Sequence, residues 1–495
     1  MKKHLLIIIF GVAFAWFFLG ISPGMLLMIF LALLLIGLGF FKDKEPVYLV
    51  PLGFGILLAN VPGTNMSSYH YEIQLQTKML ERDEGVTLPE KFNLAKGENY
   101  VYFDATGKLV INNDSIEDKT CIGRFLLNKE ACFQRDMDSI PMKCSGIEIL
   151  DKVFLNDGDN IQIGKNLYTV SVSKGLTAWL YSNLIATGFL TPLIFLGLGM
   201  AVDFAPLMRN AGLTFLGAFS QVGIFLAFVF SLFTGMFTPE EAASLAMIGA
   251  LDGPLSVYLS NQLVPEMLGS IAVITFGLMV SANFLIPIIV DLTTSSEERR
   301  INMKEQEERF QPEKLVFSKK IKIIFPVGIV FICSVFIPSA TILIGMLMFG
   351  NLLKEVGLLA AVEKISGVSK GTLINILIII LGFCVGATLE AEVFLNFQTI
   401  GIIFIGLIAF SLSVAGGIYG AKLWNMHASE SGKKLINPMV GAAGVSAFPS
   451  ASRIVNEIAI KEDSSNDIYQ YCLASNLAGV IVAILTAGYF LNKLG

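Results

Sequence analysis

The chain alternates between long apolar runs and short polar breaks, and the spacing of the breaks predicts helices. Three runs open it, at 4–21, 23–41 and 46–61, divided by Ser22-Pro23 and by Lys42-Asp43-Lys44-Glu45. Others follow at 176–201, 211–236, 268–292, 322–337, 339–353, 371–389, 398–421 and 468–491. Most approach the roughly 20 apolar residues that a bilayer-spanning helix needs. Two stretches, 239–262 and 435–458, are too polar and too broken by glycine and proline to be ordinary spans. The first run starts Met-Lys-Lys-His and holds Ala13-Phe14-Ala15, as a signal peptide would. It continues through Trp16-Phe17-Phe18-Leu19, which predicts a retained helix.

Between 63 and 174 the pattern changes. Charged residues become denser, and short alternating runs such as Tyr100-Val101-Tyr102-Phe103 and Tyr168-Thr169-Val170-Ser171-Val172 predict strands between Asn-Asp-Gly turns. The expected division is therefore N-terminal helices over 1–62 and a soluble β-rich insertion over 63–174. A first membrane repeat follows over 175–292, then a basic loop over 293–322. The remaining helices and a second repeat fill 323–495. The expected fold class is an all-α polytopic membrane protein, an inverted-repeat transporter-like bundle with two re-entrant broken helices, plus an inserted small β-rich soluble domain.

Composition sharpens this. Of 495 residues 54% are hydrophobic and 15% charged, against about 25% charged in soluble domains. That excludes a disordered, nucleic-acid-binding or ordinary cytosolic protein. Six cysteines, none in C-x-x-C spacing, do not build a disulfide scaffold, and Cys333, Cys384 and Cys472 read as small core residues. If the insertion is external, Cys121, Cys132 and Cys144 could supply one disulfide. His4, His70 and His427 are scattered and read as incidental.

Charge placement sets the orientation. Loop 293–322 carries Arg299, Arg300, Lys304, Arg309, Lys314, Lys319, Lys320 and Lys322, so it should be cytoplasmic, and Lys2 and Lys3 put the N-terminus inside. Threading the helices between these points places the insertion outside. It makes 239–262 dip in from the outer side and 435–458 from the inner side. Gly199-Met200-Ala201-Val202-Asp203-Phe204 also resembles Gly386-Ala387-Thr388-Leu389-Glu390-Ala391-Glu392-Val393-Phe394. Paired broken helices of this kind are the usual build of secondary transporters.

The candidate chemistry lies in those two stretches. Ile248-Gly249-Ala250-Leu251-Asp252-Gly253-Pro254 sets a carboxylate beside a helix break, and a carboxylate at membrane depth normally faces a cavity and a partner. Freed backbone carbonyls plus one carboxylate suit a sodium ion. The alternative is an Asp capping a short helix in an external loop. The second stretch runs from Asn437-Pro438 through Gly441, Gly444 and Ser446 to Pro449 and Arg453. Asn437 and Ser446 offer neutral oxygens, and Arg453 can hold a carboxylate by two hydrogen bonds. Packing, with Arg453 at the inner interface, is the competing reading. Asn476 and Asp203 are weaker candidates, each as readily structural; Glu390 and Glu392 are weaker still.

At these residues the chain resembles the β-subunits of the biotin-dependent, sodium-translocating decarboxylases of oxaloacetate, methylmalonyl-CoA and glutaconyl-CoA. The similarity covers Pro46–Pro62, Pro192–Asn210, Ile248–Gly269, Gly350–Gly357, Gly386–Thr399, Asn437–Asn456 and Asn476–Val480. The resemblance implies a multi-pass inner-membrane subunit that decarboxylates carboxybiotin delivered by a partner and exports sodium ion. It implies sodium at Asp252, Asn437, Gly441 and Ser446, and carboxybiotin at Arg453, Ser446 and Asn437, with Asp252 and Arg453 catalytic. It also implies biotin-carrier, carboxyltransferase and small membrane subunits as partners. Homo-oligomerisation stays open, and no nucleic acid is expected. Two departures remove hydroxyls: Leu278, where such proteins carry a tyrosine implicated in coupling, and Leu255, where they carry Thr or Ser. They keep open a transporter relative, carrying sodium or an organic anion, that does not decarboxylate. A scaffold or sensor using the insertion is a third reading. Leu155–Gly164 and Ile122-Gly123-Arg124 faintly resemble a forkhead-associated β-sandwich, although its Ser-x-x-His is missing. The insertion is also large for the family.

Overall fold

A computed structural model describes residues 22–41, 45–61, 176–310, 317–357, 372–430 and 434–495, together with the strands between Tyr69 and Lys174. The expected helix at 4–21 lies outside the described residues. The principal helices are α1 (Pro23–Phe41), α2 (Pro46–Asn60), α3 (Leu190–Ala201), α4 (Thr214–Phe233), α5 (Pro239–Ala246), α6 (Gly253–Leu263) and α7 (Leu268–Thr293). They continue as α8 (Lys319–Phe336), α9 (Thr341–Val356), α10 (Thr372–Ala387), α11 (Phe397–Glu430), α12 (Met439–Ala442), α13 (Ser450–Glu462) and α14 (Tyr469–Leu494). Two compact units divide the chain: Met1–Thr64 with Leu180–Gly495, and Asn65–Trp179.

Among the described residues the second unit contributes β1 (Tyr69–Thr77), β2 (Lys91–Asn93), β3 (Gly97–Phe103), β4 (Leu109–Asn112), β5 (Cys121–Leu127), β6 (Ala131–Arg135), β7 (Met142–Cys144), β8 (Ile147–Glu148), β9 (Lys152–Phe154), β10 (Asn160–Ile163) and β11 (Asn166–Lys174). They form two antiparallel sheets, ordered β2-β1-β11-β10-β7-β8 and β4-β3-β5-β6-β9. The longest pair runs β1 against β11.

The fold-class expectation is corrected here. The expected all-α bundle with a soluble insertion is not what the structure shows: helices and paired strands share the chain, and no soluble domain is established. The helices also depart from a uniform set of spans. Among the described residues six are long and apolar enough to cross a membrane: Pro23–Phe40, Ala211–Phe233, Pro265–Thr293, Pro338–Val356, Phe397–Ser429 and Tyr469–Leu494. Helices α2, α3 and α10 are shorter apolar pieces. The run expected at 176–201 breaks after a π-helical turn at Tyr181–Ile185, because Gly188 takes a left-handed φ of 70° and the chain re-enters helix at Leu190.

Inside the first unit, α4 packs along α11, α1 and α10 both pack on α2, and α9 packs on α3. α14 is the most enclosed of the six long helices. Close approach is bought by small residues. A Cβ on Gly55 of α2 would stand 2.3 Å from the Phe383 carbonyl oxygen of α10, and one on Gly386 2.2 Å from that of Leu52. The α2–α10 crossing therefore brings backbone against backbone and fixes where the start of α2 lies.

Both polar stretches are broken. The first runs α5, a 3₁₀ turn at Met247–Ala250, Leu251 at φ 53°, Asp252, then α6. A left-handed leucine carries a penalty of roughly 1–2 kcal/mol. Leu251 is fully buried, which offsets it. The second runs α12, a turn region through a cis Phe448–Pro449 bond, then α13.

Candidate functional site

The two breaks meet. Asp252 caps α6: its Oδ1 accepts a hydrogen bond from the Leu255 N–H at 3.0 Å. The position favours a negative charge, because it faces the free N–H groups of a helix start. Its Oδ2 accepts from the Ser446 hydroxyl at 2.8 Å, across 194 residues of sequence. Asp252 is 8% exposed. Each carboxylate oxygen has a second lone pair, so both keep capacity for a cation. The Thr191 hydroxyl donates to the Pro254 carbonyl, in the first turn of α6, at 3.3 Å.

Beside this pair lies a cavity of about 310 Å³, whose polar lining is Glu45, Tyr48, Asp252, Asn375, Ser446 and Arg453. Its apolar wall includes Phe195 and Leu198 of α3, Met279 of α7 and Phe448. Arg453 stands on α13 one turn beyond Ser450, whose hydroxyl donates to the Glu45 carboxylate. That bond ties the start of α2 to the start of α13. Among the described residues the Arg453 guanidinium has no hydrogen-bond or ion-pair partner. A confined space with one free guanidinium and a carboxylate–hydroxyl pair can seat a small anion beside a cation.

Of the residues singled out by sequence, Asp252, Ser446 and Arg453 come together here. The others stand apart from the cavity lining. Asn437 is fully buried; its Nδ2 donates to the carbonyls of Arg299 at 2.7 Å and Ile301 at 3.0 Å, and its Oδ1 accepts from the Met439 N–H at 3.0 Å. It anchors the second break to the chain after α7, where Arg299 pairs with Glu462 at 2.7 Å. Replacing Asn437 by Ala removes three hydrogen bonds and leaves Asn466 Nδ2 as the remaining side-chain donor to the two carbonyls. Thermal unfolding of the purified chain should show a loss of about 2–3 kcal/mol.

Gly441 sits in backbone contact with α11, where its Cβ would meet the Gly417 carbonyl oxygen at 2.0 Å. Asn476 braces the second break, donating to the carbonyls of Ala443 at 3.1 Å and Val445 at 2.5 Å. Asp203 is exposed and accepts from the Ala205 N–H at 3.0 Å, just ahead of the short helical turn Ala205–Arg209. Glu390 begins another turn at Ala391–Phe394. Asn60 bridges the chain there, donating to the Leu389 carbonyl at 2.7 Å and accepting from the Ala391 N–H at 3.0 Å. Leu278 is buried on α7 outside the cavity lining, and Leu255 supplies its N–H to Asp252. Sequence reading missed Glu45 and Tyr48. The available signal was an acidic residue ahead of Pro46 at a helix start, with a tyrosine one turn on.

Comparison with known proteins decides what this arrangement belongs to. Residues 24–494 match the family model described as Na+-transporting oxaloacetate decarboxylase beta subunit. The chain belongs to this family. It is 39% identical to the methylmalonyl-CoA decarboxylase subunit beta of Propionigenium modestum over 334 residues, which is 67% of this chain and 80% of the relative. It is 32% identical to the oxaloacetate decarboxylase beta chain 2 of Salmonella typhi over 479 residues, 95% of each. A second methylmalonyl-CoA decarboxylase subunit beta, from Veillonella parvula, is 39% identical over 61% of this chain and 77% of its own. As a beta subunit of this family the chain is a multi-pass membrane protein of a sodium-transporting decarboxylase, coupling decarboxylation to sodium transport.

Proposed function

We propose that the Asp252 cavity takes the carboxylated ureido ring of a biotin borne by a partner subunit, and that sodium binds at the Asp252–Ser446 pair. The observation that carries this is the direct Ser446–Asp252 hydrogen bond in the same cavity as an unpartnered Arg453. Arg453 would hold the N-carboxylate by two parallel N–H bonds. The Phe195, Leu198 and Phe448 wall would strip water from that anion, and an N-carboxylate in a dry site loses CO2 more readily than a hydrated one.

Asp252 couples the two events because its charge is felt by both ligands. A sodium ion there offsets the carboxylate that would otherwise repel the incoming anion. Once CO2 has left, the anionic charge that helped to hold sodium is gone. The ion can then leave by the other face, outward if the basic loop after α7 is cytoplasmic. The same orientation puts the chain in the cytoplasmic membrane. The remaining subunits would be a carboxyltransferase, a biotin carrier and a small membrane subunit, with the choice of carboxylic acid made by the first. Asn437, Gly441 and Asn476 hold the second break in place for Ser446.

The test is CO2 release from N-carboxybiotin by the purified chain, with and without candidate partner subunits, across a sodium series. Turnover that rises with sodium is the expected result. Arg453→Ala should lower kcat/KM roughly 10- to 150-fold, matching about 1.5–3 kcal/mol for a hydrogen bond to a charged group. A folded chain that binds sodium and releases no CO2 with any partner overturns the reading.

A further inference from the structure

The cavity beside Asp252 holds a phenol that the reading above leaves without a task. Tyr48 lies at the start of α2, its ring tilted against Phe276 of α7 at a centroid distance of 5.5 Å. Phe276 in turn fills the space over Gly253, where a Cβ would come within 2.2 Å of its ring. Phe276 thus stands between Tyr48 and Gly253, and Tyr48 lines the same cavity as Asp252 and Gly253. Among the described residues the Tyr48 hydroxyl has no hydrogen-bond partner, and it is not sealed inside the packing.

Breaking the C–N bond of an N-carboxylated ureido ring needs a proton at the nitrogen. At neutral pH free carboxylates carry none, and a guanidinium does not release its own. The Ser446 hydroxyl is turned to Asp252. Among the groups lining this cavity, Tyr48 carries the neutral hydroxyl that is not already engaged in a hydrogen bond.

We propose that Tyr48 is the proton donor for decarboxylation in this cavity, an assignment that rests on the carboxybiotin reading above. As CO2 departs, the C–N electron pair stays on the ureido nitrogen and takes the Tyr48 proton, forming N–H. The phenolate is reprotonated from water. One proton is consumed per CO2 released, and nothing is oxidised or reduced.

The experiment measures CO2 release from N-carboxybiotin by the full chain with its partner subunits, comparing wild type with Tyr48→Phe, which keeps the ring against Phe276. Expected is a fall in kcat of about 10²–10⁴-fold, with KM for carboxybiotin and the sodium requirement little changed. Replacing Tyr48 with 3-fluorotyrosine, a stronger acid of nearly the same shape, should move the alkaline limb of the kcat–pH profile to lower pH. This keeps the test sharp should Tyr48→Phe fold poorly. An unchanged kcat in Tyr48→Phe, a change confined to KM, or an unmoved alkaline limb overturns the assignment. A wild-type chain that releases no CO2 overturns the carboxybiotin reading and this assignment together, whereas an active wild type with an unaffected Tyr48→Phe overturns the assignment alone.

Discussion

Asp252→Asn is expected to abolish sodium stimulation of decarboxylation while leaving the fold in place. The amide oxygen of an asparagine still accepts from the Leu255 N–H, so the cap on α6 survives. The amide nitrogen can donate to the Ser446 oxygen, so the link between the two breaks survives as well. What is lost is the negative charge. Removing one partner of a buried charge pair costs about 3–5 kcal/mol, so sodium binding should weaken at least about 100-fold by the same measure. Sodium titrations of turnover and of calorimetric binding, beside a thermal melt of each protein, check this. Undiminished sodium dependence in a well-folded variant would remove Asp252 from the ion site.

Gly441→Ala should act in the opposite way, through the fold. The added methyl would stand 2.0 Å from the Gly417 carbonyl oxygen and 2.9 Å from the Ile418 nitrogen. Neither backbone atom can swing aside as a side chain would. The second break must back away from α11, a strain at or beyond the upper end of the usual 1–3 kcal/mol for overpacking. We expect a large drop in melting temperature and in yield from the membrane, while the fraction that folds keeps its sodium affinity. Gly277→Ala in α7 is the control. A Cβ there meets nothing within 4 Å, and alanine within a helix should stabilise by roughly 0.5–1 kcal/mol. Equal effects of the two substitutions would show that the Gly441 contact does not govern packing.

These two residues show how far the sequence could be read. Asp252 was legible because a carboxylate beside Gly253-Pro254 in an apolar chain has few structural uses, and Ser446 and Arg453 because they sit in one unusual string. Their meeting was not legible. The 2.8 Å bond joins residues 194 apart in sequence, and no local periodicity carries that information. Asn437 and Gly441 share the string and have different work. Polar and small residues look alike in sequence whether they bind a ligand or let backbones touch, and the carbonyls of Arg299 and Ile301 become visible as partners once the chain is folded. Glu45 and Tyr48 escaped notice for another reason. They begin a run read as a plain span, yet α2 has 15 residues, and its shortness places its first turn at the cavity. The apolar runs that marked helices follow directly from burial. The break at Gly188 follows from one backbone angle inside a continuous apolar run, where hydropathy is silent.

The distance in sequence between Asp252 and Ser446 has a consequence for how the protein is made. Ribosomes add about 5–20 residues per second, so the 194 residues that separate the two take roughly 10–40 s to synthesise. For that interval the nascent chain carries an aspartate inside an apolar stretch with its hydroxyl partner not yet translated. A chain truncated before Ser446 never acquires it. Such fragments should be held at the insertion machinery or handed to membrane proteases, and the finished carboxylate–hydroxyl contact then marks a chain that has been completed.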